Sequence, residues 1–309
     1  MGLNERIVSK AGTISTAGLE SGLLNPEQAR KFIQQTFDAT NLGGLIRHVM
    51  RTAKTGEIDK IGIASRIIRK KTENTDDNYR ADVKTSQIEY ATTAVRLPWE
   101  ITEETLRENI EGQNFEKIAT DLMTRQAGVD LEDLYINGDE DTPSDDPDHD
   151  FLKINDGWIK QLTNNAHVED RSSKNSGAMS IDVFYDALQQ IPNKYNNGRL
   201  RWLMSPKRKQ EWDRYLLKQI LEKGGGVPES IYKSPAAVPA VEVPSLSNDK
   251  IILSDPQNLI VVNTYSVKVR KTTEGREAIM QDKRFYVIHL DYDPIIEETD
   301  AAAIITGLK

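Results

Sequence analysis

Residues 100–141 read EITEETLRENIEGQNFEKIATDLMTRQAGVDLEDLYINGDED, and this stretch decides the fold. Phe115, Ile118, Ala119, Leu122, Met123, Ala127, Leu134 and Tyr135 recur near three- and four-residue spacing, which predicts one long amphipathic helix with a single apolar stripe. Thr102 or Asn114 can cap its parts by accepting bonds from free backbone N–H groups. Glu103, Glu104 and Glu116 suit the positive end of the helix dipole. The helix is expected to stop at Asn137-Gly138-Asp139. There Gly138 can take the left-handed conformation that closes a helix end, and Pro143 and Pro147 forbid resumption. Such a helix is a beam and not a pocket, which points to mechanical work.

Working outward, the chain has 309 residues, enough for one elaborate domain or two ordinary ones with a sizeable core. Its net charge of −8 argues against the whole chain being a nucleic-acid binder, because phosphate binding relies on a basic face. It has no cysteine, so disulfides, thiolate metal sites and cysteine nucleophiles are excluded. No stretch approaches the roughly 20 apolar residues of a membrane helix. The first eighteen residues carry Arg6 and Lys10 but no apolar core of signal-peptide type. The expectation is a protein made in the cytosol, without membrane or lipid anchor.

Before the long helix, residues 1–25 are rich in Gly, Ser, Thr and Ala and read as an extended arm. Asn25-Pro26-Glu27 opens a short helix by cap and proline, with Ala29, Phe32, Ile33 and Phe37 on one face, and Gly43-Gly44 breaks it. From Ile58 to Arg96 the pattern is that of strands. Ile58, Ile61, Ile63, Ile67 and Ile68 lead into a polar turn at 71–82, and Val83, Ile88, Tyr90, Thr92, Thr93 and Val95 form the return limb. A two-stranded hairpin alone is marginal in water, so this one needs a partner surface in its own chain or a neighbour.

After the long helix, Ser180 caps a helix with Val183, Phe184, Ala187, Leu188 and Ile191 inward, ended by Pro192. Residues 200–204 read as a short buried strand. Ser205-Pro206 then starts a helix carrying Trp212, Leu216 and Ile220. Short strands are expected at 251–253, 259–262, 267–270, 285–290 and 301–308. The fold class is α+β, with no fixed-period repeat.

The order and wording of these pieces resemble the major capsid proteins of tailed bacteriophages, the Hong Kong 97-type fold. The resemblance runs from about Asn25 to the end of the chain. Its best match is Asp133-Leu134-Tyr135-Ile136-Asn137-Gly138-Asp139 at the end of the spine helix, supported by Leu97-Pro98-Trp99-Glu100-Ile101-Thr102 at its entry. Trp202-Leu203-Met204-Ser205-Pro206, the Pro-Val segment at 238–244, Ser254-Asp255-Pro256-Gln257-Asn258-Leu259-Ile260 and Ala301-Ala302-Ala303-Ile304-Ile305 match later steps of the family's chain. The resemblance implies an N-terminal arm and short helix at 1–45 and an extended β-hairpin, the E-loop, at 46–97. It places a peripheral (P) domain with the spine helix at 98–160 and 262–309, and an axial (A) domain at 161–261. It implies a shell subunit of the virion, made in the host cytoplasm, that self-assembles into hexamers and pentamers of an icosahedral head around double-stranded DNA held non-specifically. Further partners implied are a portal, a separate scaffolding protein and decoration proteins. Scaffolding is expected to be separate, or absent, because no helical extension of about a hundred residues precedes the arm. The family's glycine-rich stretch after the spine is replaced here by the Asp/Pro loop 139–150. The same fold would also serve an encapsulin-like nanocompartment.

The chemistry the chain could carry is thin. The loop's Asp139, Glu140, Asp141, Asp145, Asp146, Asp148, His149 and Asp150 could hold a divalent cation and serve a metal-dependent enzyme. It fails the EF-hand spacing and reads better as a solvated loop. Gly224-Gly225-Gly226 lacks the Gly-Lys-Ser/Thr ending of a phosphate loop. Lys207, Arg208 and Lys209 sit in the first turns of a helix, a poor place for cations unless a carboxylate meets them. His48, His149, His167 and His289 are scattered, and neither a Gly-x-Ser-x-Gly elbow nor a His-Glu-x-x-His pair occurs. No catalytic, cofactor or metal residue is assigned. Lys60, Lys70, Lys71 and Lys84 lie in the hairpin, where some members of the family form Lys–Asn crosslinks. Abundance is not a motif, so noncovalent assembly is expected.

Overall fold

The computed structural model describes residues 40–62, 68, 70, 84–108, 115–173, 177–223, 234–264 and 268–309. The expected arm, its short helix, the polar turn at 71–82 and the triple glycine lie outside them. In chain order, β1 (Arg47–Arg51) leads to β2 (Thr55–Gly62) and β3 (Lys84–Ala91), then β4 (Thr93–Thr102). Helices α1 (Glu103–Glu108), α2 (Phe115–Asn137), α3 (His149–Leu152) and α4 (Trp158–Asn165) follow. Next come β5 (His167–Asp170), α5 (Ile181–Gln190), β6 (Arg201–Met204), α6 (Pro206–Lys223) and β7 (Ala240–Glu242). The chain closes with β8 (Ile251–Ser254), β9 (Leu259–Thr264), β10 (Lys268–Thr272), α7 (Arg276–Gln281), β11 (Lys283–Ile296) and β12 (Ala303–Thr306).

The first sheet is organised on β11, a strand of 14 residues. Its first half is flanked by β4 and β10, both antiparallel, with Lys283 opposite Thr102 and Thr272 opposite Phe285. Its second half pairs with β9, Asn263 opposite Tyr292, and β1 adds in parallel beyond β9. Pro98, which cannot donate to a ladder, sits in β4, whose recorded pairing is with β11 alone.

The second sheet has the order β5-β12-β8-β6-β7, and its three central strands are buried on both faces. These are short, largely apolar runs, as buried strands are. Alternation divides each run. Trp202, Met204, Ile251, Leu253, Ala303 and Ile305 face a cluster with Val183, Phe184, Ala187, Trp212 and Leu216 from α5 and α6. Leu203, Ile252 and Ile304 face the other way, into a core shared with Trp99, Leu131, Leu134, Tyr135, Trp158 and Tyr292. Three side chains of period two thus weld the second sheet to the long helix and the first sheet.

The expected helix over 100–141 is corrected in two respects. Its first residues belong to β4, because Glu100 and Ile101 pair with Phe285 and Arg284. Thr102 then caps the separate α1, its Oγ1 accepting from the Thr105 amide at 3.2 Å. In α2 the buried side comprises Thr124, Ala127, Gly128, Leu131, Leu134, Tyr135 and Ile136, while Ile118, Leu122 and Met123 are exposed. Helical spacing identified an apolar face but could not say that in its N-terminal half only Phe115 and Ala119 would pack, partly buried, on the core while Ile118, Leu122 and Met123 stay exposed. Charge adds to the hold on that half. Glu116 is buried and bonded to Lys271 at 2.7 Å and Arg284 at 2.9 Å, and Arg284 also reaches Glu103. Burial alone would raise the Glu116 carboxyl, but the bonds from Lys271 and Tyr286 and the charges of Lys271 and Arg284 together outweigh it, and the group is held below the ordinary carboxylate value.

The end of α2 also differs from expectation. Gly138 is not among the glycines with positive φ. It is needed for close approach. A Cβ there would lie 2.3 Å from the Asn155 carbonyl oxygen and 2.7 Å from that of Leu134. Gly157 donates its amide to the Gly138 carbonyl at 2.8 Å and is equally confined. The two glycines let the end of α2 and the start of α4 touch through backbone. Of the other expected caps, Ser205 accepts from the Arg208 amide at 3.3 Å, whereas Ser180 flanks α5 in extended conformation without a side-chain bond.

Gly138→Ala is therefore expected to destabilise the folded chain by about 1–3 kcal/mol, visible as a lower urea midpoint with unchanged slope. A midpoint equal to that of the parent would show that the backbone contact yields at no cost.

Candidate assembly site

The hairpin of β2 and β3 forms a two-stranded sheet of its own, in register from Thr55 opposite Ala91 to Gly62 opposite Lys84. It is shorter at its return end than the sequence suggests. Thr93 and Val95 belong to β4 in the main sheet, and the chain leaves the hairpin at Thr92, whose amide donates to the Lys54 carbonyl at 2.8 Å.

Its base rests on the body through a small apolar cluster of Ile58 and Tyr90 against Ile260, Val262 and Ile295. Polar contacts surround this cluster. Lys60, read from sequence as one of several hairpin lysines, turns back to its own chain, donating to the Glu297 carbonyl and to Glu298 at 2.8 Å. Lys54 reaches Asp291 at 3.3 Å, and Arg47 in neighbouring β1 reaches Glu297 at 2.9 Å. The Ala91 amide donates to Asp293 Oδ2 at 2.8 Å. Burial raises the Asp293 carboxyl to about 6, with the Ala91 bond opposing. A cleft of about 500 Å³ opens beside this bond, lined by Gly56, Glu57, Glu89, Tyr90 and Asp293.

The body beneath is stiffened by polar bonds onto β11. Trp158 Nε1 donates to the Ile295 carbonyl at 3.2 Å, Gln161 to that of Pro294 at 2.6 Å, and the Tyr292 hydroxyl to Asn155 at 2.6 Å. Trp99 stacks on Tyr286 with ring centroids 5.1 Å apart. Sequence reasoning did not single out Asp293 or Glu132, and it read Glu116 only as a residue suited to the helix dipole and not as a buried ion-pair partner. A charged residue inside an apolar run was the available signal for Glu116 and Glu132. Asp293 follows buried Tyr292 and precedes Pro294, and gave none.

The remaining sequence candidates take structural places. Asp139 and Asp141 share Lys160, each at 2.8 Å, and Asp150 pairs with Lys153 at 2.7 Å. Burial would raise Asp139, but its bonds to Lys160 and the Asp141 amide win and hold it below the usual range. Among the described residues no group of three His, Asp or Glu is placed to hold a metal ion. Of the basic cluster, Arg208 is buried and bonded to Glu211, the Asn248 carbonyl and the Lys309 carbonyl, and Lys209 meets Asp213 at 2.8 Å. His48 donates from Nε2 to the Gly43 carbonyl and His149 from Nδ1 to that of Thr142, in separate parts of the fold. No helix among the described residues is long and apolar enough to cross a membrane.

No family model matches the chain. A protein of Bacillus subtilis (strain 168) named for a prophage capsid, YqbE, is 27% identical over 326 residues, covering 99% of both chains. Among solved structures, a chain of the satellite phage P4 procapsid that includes the size determination (Sid) protein aligns over 100% of this chain and 98% of its own, with a TM-score of 0.70 at 14% identity. A chain of the holo-SrpI encapsulin complex from Synechococcus elongatus PCC 7942 aligns over 87% of each chain with a TM-score of 0.51 at 14% identity.

The Asp293 carboxyl gives a pH dependence whose sign is fixed. A carboxyl raised in the fold contributes stability that is fully present below its unfolded value, about 4, and is lost as pH rises through about 6. Asp293→Asn keeps a carbonyl for the Ala91 amide and is expected to remove a decline of about 1–3 kcal/mol between pH 4 and 7. Urea midpoints across that range check it, and parallel profiles for the two proteins would refute the assignment. Taken together, the hairpin, the long helix, the two welded sheets and the structural neighbours show the Hong Kong 97-type α+β fold, and over its full length the chain is similar to a protein named for a prophage capsid.

Proposed function

We propose that the protein is the repeating subunit of an icosahedral phage head, assembling with copies of itself into hexamers and pentamers that enclose double-stranded DNA. The observation that carries this reading is the hairpin, which leaves the body as a separate two-stranded sheet and is held by its base. A surface that projects in this way is made to meet another molecule. Assembly of many identical copies by closed symmetry multiplies modest contacts into a stable shell.

In this reading residues 1–45 are the arm, 46–97 the E-loop region, 98–160 with 262–309 the peripheral domain and 161–261 the axial domain. The protein works in the virion, as structure and not as an enzyme. A portal and a separate scaffolding protein complete the head, and decoration proteins can join it. The charge of −8 fits a wall that DNA does not stick to, so the genome is held non-specifically. The higher TM-score to the procapsid chain than to the encapsulin chain favours a phage head over a cargo-holding compartment.

Negative-stain microscopy of the purified chain tests this directly, with closed shells or capsomers as the expected outcome. Deleting residues 71–82, or the first twenty, is expected to leave a folded chain by circular dichroism that no longer forms particles. Particles of unchanged form from both deletions would count against a role for hairpin and arm in assembly.

A further inference from the structure

Asparagine or aspartate followed by glycine is the pairing most open to attack on its own side chain, because glycine sets no Cβ around the attacking backbone nitrogen. The chain has three such pairs, Asn137-Gly138, Asp156-Gly157 and Asn197-Gly198. Two of them are locked. The Gly138 nitrogen donates to the Leu134 carbonyl at 3.0 Å, and Asn137 Nδ2 donates to Asp133 at 2.5 Å and to the Ser245 carbonyl at 2.6 Å. The Gly157 nitrogen donates to the Gly138 carbonyl at 2.8 Å, while Asp156 Oδ1 accepts from the Glu140 amide at 2.9 Å. Neither pair can close a ring without first breaking these bonds.

The third pair lies in the loop between α5 and β6, where residues 196–199 are all exposed. Among the described residues none accepts from the Gly198 amide. Gly198 has a φ of 83°, and a Cβ added there would meet nothing within 4 Å. Asn197 Oδ1 accepts from the Arg199 amide at 3.1 Å. That bond closes a turn in which the side chain folds back over the peptide nitrogen that would attack it. It also draws electron density from the same carbonyl, as donors to a developing oxyanion do. Asn196 is spared, because the Asn197 amide that would have to attack it donates to the Tyr195 carbonyl at 2.9 Å.

We propose that Asn197 is a modification site, deamidating spontaneously in the folded protein. The Gly198 nitrogen bonds to Asn197 Cγ as the Cγ–Nδ2 bond breaks, and ammonia leaves with the proton that the nitrogen gave up. Solvent water then opens the cyclic imide at either carbonyl carbon, leaving aspartate or isoaspartate at 197. Nothing is oxidised or reduced. Either product adds a negative charge to a chain already at −8. The new carboxylate stands at a cleft of about 350 Å³ lined by Arg47, Tyr195, Arg199, Glu297 and Glu298. Arg47 is already paired with Glu297, and Glu298 with Lys60, so Arg199 is the cation placed to receive it. Isoaspartate also lengthens the main chain just ahead of buried Leu200 and Trp202, at the entry to β6.

Long incubation of the purified chain in warm, mildly alkaline buffer, followed by trypsin and tandem mass spectrometry, tests this. Cleavage after Lys194 and Arg199 isolates the peptide 195–199, and its fragment ions separate Asn197 from Asn196. The mass change of amide to acid is expected at Asn197, with isoaspartate among the products, at least about tenfold faster than at Asn137, which must wait for local opening. The same incubation in urea is expected to bring the two rates together, because the unfolded chain locks neither pair. Equal rates in the native protein would overturn the proposal, as would a native rate at Asn197 about tenfold below its rate in urea. Asn197→Gln, whose longer side chain must close a larger ring, is expected to lose the signal and keep the parent's urea midpoint. A signal persisting in that peptide would assign the reaction to Asn196 and likewise overturn it.

Discussion

Strand β11 is the member on which the other parts bear. Over its 14 residues it serves β4, β10 and β9 in turn, and so completes ladders that no short strand could reach together. It also supplies the carbonyls of Pro294 and Ile295 that tie down α4 and the carboxylate of Asp293 that receives the hairpin. Arg284, near its start, holds Glu103 and Glu116 at the head of the two helices. A backbone group buried without a partner costs free energy comparable to a lost hydrogen bond. A strand paired along most of its length is therefore a rigid reference against which helices and hairpin can be set.

The two ends of the spine helix are secured by different physics. The end at Asn137 is fixed by shape, through two glycines that permit backbone contact and through Asn137 donating to the Ser245 carbonyl at 2.6 Å. The end at Phe115 is fixed by charge, with Lys271 and Arg284 converging on buried Glu116. A buried ion pair adds little net stability over apolar packing, but losing one partner leaves a charge stranded. Such a network permits one arrangement and penalises near neighbours. In the proposed shell that would be a useful property, because the edges of the plate would have to meet copies of themselves.

Much of the architecture was legible because periodicity reports burial. The runs at 201–204, 251–254 and 303–306 are short, apolar and alternating, and became the strands that weld the two sheets. The helix caps Thr102 and Ser205 were legible for the same local reason. Where the sequence misled, the deciding partner lay far along the chain. Glu116 is explained by residues 155 and 168 positions away, and Gly138 by a carbonyl at Asn155 that no turn rule would place against it. The return limb of the hairpin was overrun into Val95 because strand propensity cannot tell which sheet a strand will join.

The hairpin shows why a subunit of this kind needs both order and freedom. Near its base it has apolar contact from Ile58 and Tyr90 and charged contact from Lys54 and Lys60. Strand β3 further along exposes Thr85, Ser86 and Gln87, which have little to bury. Orientation at the root is thus set by burial, whose gain scales with apolar area, while the outer strands depend chiefly on their own ladder. Two-stranded ladders are marginal in water, so a second surface against these strands would add to their stability. In the proposed shell of hexamers and pentamers that second surface would be presented at more than one angle. A firmly rooted and weakly self-sufficient hairpin can satisfy both settings with one sequence, where a rigid one would fit only the first.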